Sequence, residues 1–339
     1  MSLTELAPLR MGVAGLGRAG SFHIERLGLR DDCRVVATYD DCSAARAPGL
    51  SRTTHSRWPD FLADEQVELV LLATPPAVHA EMAIAALAAG KHVIVETPLG
   101  LSLFEADAIA AAAERCGRQV YVAQTRRWVD SFRTARTVLE SSELGRPVAL
   151  KFINWQYGLP PRWYEPEASN PPVQTAADWR LHTQSGGGVL WEFGVHQFDQ
   201  LLQLAGRPAE SVYARITPSA TAPCDDGFLV LVNFSGGLTA HVEVSRAAAA
   251  PLSTGWMIAG DRGSYAAGTQ YVPNRAGEVL DLPVATECSL ADDFYQQVVA
   301  NLRTGGPHPV PVAEARQTIA LIEAARRSAR INQVVPVAH

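Results

Sequence analysis

The chain has 339 residues, a length that predicts two domains. Hydrophobic residues make up 47% and charged residues 19%, which excludes disordered, collagen-like and coiled-coil chains. A net charge of −6 argues against the basic face that nucleic acid needs, so no such partner is expected.

Apolar runs predict strands over 9–14, 34–39, 67–73, 91–95 and 119–123. Helical periodicity predicts helices between them over 18–29, 78–89 and 103–116. The last has Ser102 as N-cap, Glu105 completing a capping box and Gly117 as its stop. Strands separated by such helices form βαβ units, hence a parallel sheet over residues 1–125. The rhythm then changes. A helix over 131–142 and a β-rich run over 147–157 precede an irregular stretch, 158–178, dense in proline and aromatics. A helix over 189–204 follows. Strands are expected over 211–217, 228–234, 238–245, 255–260 and 264–267, and two helices over 290–303 and 313–331. Strands in succession predict an α+β domain over 126–339 with an antiparallel or mixed sheet.

The five cysteines form no C-x-x-C pair, so neither a zinc cluster nor a disulfide framework is expected, and reduced thiols imply a cytoplasmic protein. The first ten residues contain no apolar segment of a leader. The apolar stretch at 80–89 is too short to cross a membrane and contains Glu81, so no membrane partner is expected.

Gly15, Gly17 and Gly20 form a G-x-G-x-x-G loop between a strand and a helix. Gly15 permits the tight turn, Gly17 the approach of a pyrophosphate, and Gly20 the packing of helix on strand. Leu16, Arg18 and Ala19 complete the loop, whose helix N-terminus holds the anion. Asp40 follows the second strand, where a carboxylate accepts from the ribose hydroxyls. Asp41 adjoins it and no arginine follows before Arg46, which favours NAD over NADP.

With these motifs the chain resembles the glucose–fructose oxidoreductase / inositol dehydrogenase (Gfo/Idh/MocA) family. The likeness includes His23 after the glycine loop, Ala73-Thr74-Pro75-Pro76 with His79, and Lys91-His92-Val93 leading to Glu96-Thr97-Pro98. It continues through Asp178-Trp179-Arg180, Gly186-Gly187-Gly188, Glu192, Gly194, His196 and Asp199. The resemblance implies an α/β fold: a Rossmann domain, then an α+β domain with an open, predominantly antiparallel sheet. It implies an NAD(P)-dependent oxidoreductase acting on a sugar, inositol or related polyol, bound between the domains. It also implies a homodimer or homotetramer joined through the open sheet. In one respect the chain departs. The family motif is Glu-Lys-Pro with a catalytic lysine; here Thr97 keeps a hydroxyl but supplies no charge, and it stands as the candidate catalytic residue in the lysine's place. That departure admits another reading, an NAD-binding regulator or sugar sensor with weakened catalysis.

Glu192, His196 and Asp199 stand at i, i+4 and i+7, which predicts one helix face. The same spacing suits a purely structural amphipathic helix. His196 matches the family's catalytic histidine and is expected to take the hydroxyl proton. Glu192 is expected to orient the substrate or the imidazole. No second ligand cluster supports a metal, so none is expected. Thr74, Pro75 and His79 follow the third strand at the edge where ligands bind, and are expected to contact the cofactor. By the resemblance, Glu96 touches the nicotinamide ribose. Arg126 or Arg127, with Arg127 preferred, and Trp179 and Arg180 are candidate substrate contacts. Trp155, Tyr157, Trp163 and Tyr164 crowd the segment expected to border the site. Of 29 basic residues, only Lys91 and Lys151 are lysines. Lys91 should lie at the far end of its strand, which leaves Lys151 as the one lysine with a route towards the cleft.

Overall fold

The computed structural model describes residues 7–42, 53–157, 179–220, 222–290 and 292–338. Arg46, Trp163, Tyr164 and Asp178 lie outside the described residues.

The first sheet is parallel and six-stranded, in the order β3-β2-β1-β4-β5-β6. Its strands are β1 (Leu9–Ala14), β2 (Cys33–Tyr39), β3 (Thr53–His55), β4 (Leu69–Leu72), β5 (His92–Val95) and β6 (Val120–Val122). Around it run α1 (Arg18–Gly28), α2 (Trp58–Leu62), α3 (His79–Ala88) and α4 (Leu103–Cys116). The central strands read as unbroken apolar runs because helices cover both faces; every residue of β4 is buried. The order reverses between β1 and β4, which opens a crevice at the carboxyl ends of those strands. Helix α4 keeps the expected N-cap and stop, with Ser102 Oγ accepting the Glu105 N–H at 3.2 Å and Gly117 at φ +61°, but Glu105 Oε2 accepts the Leu101 N–H at 2.6 Å, one residue before the N–H that a capping box uses.

Residues after Trp128 build α5 (Asp130–Glu140), β7 (Pro147–Tyr157), α6 (Val195–Ala205) and β8 (Ala209–Pro218). Then come β9 (Asp225–Phe234), β10 (Thr239–Ser245), β11 (Ala247–Gly260), β12 (Ser264–Ala266), β13 (Thr269–Pro273) and β14 (Val279–Pro283). Helices α7 (Asp293–Thr304) and α8 (Val312–Ile331) lead to β15 (Val335–Pro336). The second sheet has nine strands in the order β14-β13-β12-β11-β7-β10-β9-β8-β15. Its pairings are antiparallel except β10 with β7. Leu150 and Phe152 join the core that also holds Val195 and Phe198 of α6. Lys151 alternates with them and so faces away from α6, which closes the expected route from Lys151 to the cleft.

Two helices tie the halves together. Phe294, Tyr295, Val298 and Val299 of α7 lie in the core of the first sheet. Helix α8 spans both cores, with Ala315 and Ile319 in the first and Leu321 to Ala325 in the second. Four strands, β3, β13, β14 and β15, go beyond the expected set. β14 is exposed at every position and so carries no alternating apolar pattern.

Candidate functional site

The glycine loop has the three geometries its residues predict. Gly15 adopts φ +88°, and a Cβ there would lie 2.5 Å from the Ala73 carbonyl oxygen. A Cβ on Gly20 would overlap the Gly15 carbonyl oxygen. At Gly17 a Cβ would meet nothing within 4 Å, so the loop faces open space where a pyrophosphate needs it. Gly17 and Arg18 are exposed, Ala19 is partly covered, and Leu16 is buried. No side chain caps α1 at Gly17, which leaves the helix start open to an anion.

Asp40 closes the loop from the end of β2. Its Oδ2 accepts the Leu16 N–H at 2.7 Å and its Oδ1 the Cys42 N–H at 2.8 Å. Those contacts hold the carboxylate in place and leave lone pairs for ribose hydroxyls. Across the crevice stands Thr74, whose buried Oγ1 has no hydrogen-bond partner in the protein. Pro75 beside it is exposed. These residues fit a dinucleotide: an open glycine cradle, a fixed carboxylate and an orphaned hydroxyl along one sheet edge.

His79 is placed differently from a cofactor contact. It is fully buried, and its ring nitrogens lie 2.8 Å from Pro98 O and 2.8 Å from Thr74 O. It braces the loop after β4 against the turn after β5. Burial lowers its pKa, against the two carbonyls, each of which calls for an N–H.

The end of β5 carries a buried polar chain. Glu96 Oε1 lies 2.6 Å from His23 Nε2, and His23 Nδ1 lies 2.5 Å from the Tyr295 hydroxyl. Burial opposes the Glu96 charge, but His23 and the Thr97 N–H, 2.8 Å from Oε2, hold its pKa below the usual range. An ionised Glu96 only accepts, so His23 donates to it through Nε2, while Nδ1 is hydrogen-bonded to the Tyr295 hydroxyl. Sequence alone gave no sign of Tyr295, which comes from α7 at the far end of the chain. Thr97 is partly exposed and follows Glu96 directly.

The second half delivers His196. Its Nδ1 lies 3.1 Å from Gln124 Oε1, just beyond β6. Gln124 is buried and donates through Nε2 to Val195 O at 3.2 Å, which fixes its amide orientation. Gln124 Oε1 can only accept, so His196 carries its hydrogen on Nδ1, and Nε2 keeps a lone pair. Burial, then the Arg126 charge, push His196 down to about 3, against a smaller upward pull from Glu96. His196 therefore lies within electrostatic reach of both Glu96 and Arg126. Gln124 was absent from the sequence-based site because a glutamine just past a strand has no motif.

Glu192 lies in a π-helical turn, Leu190–Gly194, that runs directly into α6, so its phase relative to His196 and Asp199 differs from that of a continuous α-helix. Asp225 holds the turn: its Oδ2 accepts the Leu190 N–H at 2.7 Å, and a Cβ on Gly188 would collide with its carboxylate. Burial raises Asp225 to about 6. A side chain on Gly186 would press on Pro76 and Leu101, so the glycine run lets the second domain touch the first. Arg180 Nε lies 3.0 Å from Glu192 Oε1, and its guanidinium stacks over Trp179, 4.2 Å from the ring centroid. The structure thus brings Trp179, Arg180 and Glu192 together.

Arg127 is not brought to this group. It is buried, and its guanidinium holds Asp199 through two bonds of 2.7 and 2.5 Å and Glu314 at 2.5 Å. Its neighbour Arg126 is exposed and lies over Phe193. Asp199 is spent on the same clamp. Trp155 donates to Glu243 at 2.9 Å on a neighbouring strand. Lys91 Nζ donates to Asp64 O at 2.8 Å, at the amino end of β5 and away from the crevice. Among the described residues no group of His, Cys, Asp and Glu has the makings of a metal site, and no helix is long and apolar enough to cross a membrane.

Residues 9–124 match the family described as "Oxidoreductase family, NAD-binding Rossmann fold", and residues 132–266 match "GFO/IDH/MocA C-terminal domain". A Bacillus subtilis scyllo-inositol 2-dehydrogenase (NADP(+)) is 24% identical, over 98% of this chain and 96% of its own. A scyllo-inositol 2-dehydrogenase (NAD(+)) of the same organism is 27% identical, over 70% of this chain and 67% of its own. The crystal structure of an NAD-binding protein from Listeria innocua superposes with a TM-score of 0.85 at 28% identity, over 97% of both chains. The chain therefore belongs to the Gfo/Idh/MocA family of oxidoreductases, with a nicotinamide-dinucleotide-binding Rossmann domain ahead of the family's C-terminal domain.

Proposed function

We propose that the protein is an NAD-dependent dehydrogenase of a polyol, in the class of inositols and sugars. The observation that carries this reading is the His196–Gln124 contact, which leaves Nε2 of a neutral imidazole as a base at the cleft. A nicotinamide held by the glycine loop and Asp40 would supply the acceptor for the hydride of the carbinol carbon. His196 Nε2 takes the hydroxyl proton, and the substrate becomes a ketone or aldehyde. Glu96, held ionised by His23, stabilises the imidazolium that results. Glu192 and Arg180 are placed to hold neighbouring hydroxyls, which need both donors and acceptors. Two inositol dehydrogenases among the relatives support the substrate class.

NAD is preferred because Asp40 and Asp41 put two carboxylates where NADP would place its 2′-phosphate. The reading includes self-association through the nine-stranded sheet, supported by exposed Leu231 and Leu252 on β9 and β11. Light scattering that gives a monomer mass contradicts that part.

Thr97 supports a second reading, a regulator that binds the dinucleotide without turning over a polyol. One screen separates the two: purified protein with NAD or NADP against inositols, sugars and sugar acids, followed by reduced-cofactor absorbance. Turnover with at least one polyol, faster with NAD, is expected. Dinucleotide binding without turnover across the panel contradicts the dehydrogenase and favours the regulator.

A further inference from the structure

We propose that the cavity between the carboxyl half of α8, the end of β8 and the π-helical turn is a second ligand site, one that takes a small phosphate monoester with an apolar body. The inference is independent of the polyol reading above. The cavity has a volume of about 870 Å³, enough for a ligand of metabolite size. It is lined by neither His196, Gln124 and Glu96 nor any residue of the glycine loop, so it is separate from the cofactor and proton-transfer groups.

One wall is cationic. Arg326, Arg327 and Arg330 of α8 all line the cavity, and all three are exposed. Arg326 and Arg330 stand one turn apart on the same helix face. A cation in the last turn answers the helix dipole, but the dipole gives no reason for three beside one cavity. Two carboxylates share the lining, and each is given to a backbone N–H. Asp225 Oδ2 accepts from Leu190, and Glu323 Oε1 accepts from Leu103 at 2.9 Å. Among the described residues no ion pair joins Arg326, Arg327 or Arg330 to a carboxylate.

The floor is apolar and holds one unanswered donor. Leu190, Trp191 and Ile216 line it. Arg326 lies over the Trp191 ring, 5.7 Å from its centroid. Trp191 is fully buried, and its indole Nε1 has no hydrogen-bond partner among the described residues. A buried N–H without a partner costs free energy, which a ligand oxygen in the cavity would recover.

These features select the ligand. One guanidinium satisfies both oxygens of a carboxylate, whereas a phosphate monoester offers three terminal oxygens and a charge near −2, which suits several guanidinium forks at once. The apolar floor calls for a body that covers it. Leu190 and Trp191 belong to the turn that carries Glu192, so the occupant touches that turn from outside the cofactor crevice.

The test titrates the full chain with phenyl phosphate by calorimetry, with inorganic phosphate as the anion alone. Phenyl phosphate should bind at least about tenfold more tightly than inorganic phosphate, because only it covers the apolar floor. Arg326→Gln and Arg330→Gln should each weaken phenyl phosphate by about tenfold. Both side chains are exposed, so these variants should keep the wild-type melting temperature. Ile216→Asn should weaken phenyl phosphate and leave inorganic phosphate unchanged. Saturating NAD should not displace the probe; displacement would put the anion on the glycine loop and overturn the proposal. Wild-type affinity in either arginine variant, equal affinity for the two phosphates, or no saturable binding of phenyl phosphate at millimolar concentration also overturns it.

Discussion

His196 Nδ1 lies 3.1 Å from Gln124 Oε1, and that contact decides which ring nitrogen is the base. The amide is oriented by its own bond to Val195 O, so the ring has one satisfactory tautomer. Gln124→Leu removes the acceptor and frees the ring to take the other tautomer. The variant should lose at least about tenfold in kcat while its NAD Kd stays within twofold. Steady-state kinetics beside calorimetry check this; an equal loss of NAD affinity would mean that Gln124 acts through the fold.

Gly17 and Gly20 should separate binding from folding. Gly17→Ala adds a methyl that meets no protein atom, so the melting temperature should hold while NAD affinity falls by about 1 kcal/mol or more. Gly20→Ala forces its methyl into the Gly15 carbonyl, so it should lower the melting temperature itself. Differential scanning calorimetry with and without NAD reads both.

Much of this site was legible as sequence. The glycine loop, Asp40 and Thr74 sit at ends of parallel strands, and strand order alone places those ends along one edge. Pairings between distant segments were not legible. Tyr295 reaches His23 across 272 positions, and Asp225 holds the π-helical turn from a different strand. The π-helical turn itself has no spacing rule in the sequence. Arg126 and Arg127 are adjacent and chemically alike; only the buried Asp199 and Glu314 decide which of them is tied up inside.

Tyr295→Phe should leave His23 Nδ1 buried without its hydrogen-bond partner. The expected cost is about 1–3 kcal/mol of stability in urea unfolding, with little change in overall structure. A cost near zero would contradict a stabilising His23–Tyr295 hydrogen bond.

His79 predicts a pH effect of definite sign. In the unfolded chain it protonates near its ordinary value of 6.5, whereas burial lowers that value in the native state. The unfolded state therefore binds more protons below about pH 6.5, and native stability falls as pH falls from there. His196 acts in the same direction, and Asp225, raised to about 6, acts oppositely. The comparison of wild type with His79→Gln removes those shared contributions. The variant should be less stable at pH 7 and lose less on acidification, by up to roughly 1.4 kcal/mol per pH unit between about pH 6.5 and 5. Parallel stability curves from chemical denaturation would contradict a lowered native pKa at His79.

The central claim is that His196 is the base of a polyol dehydrogenase whose cofactor site stands without it. The most direct measurement takes His196→Ala and determines NAD affinity by calorimetry and kcat/KM for the best polyol. NAD affinity within twofold of wild type, with kcat/KM down by about 10² to 10⁴, is the predicted result. Wild-type turnover in the variant would contradict the account.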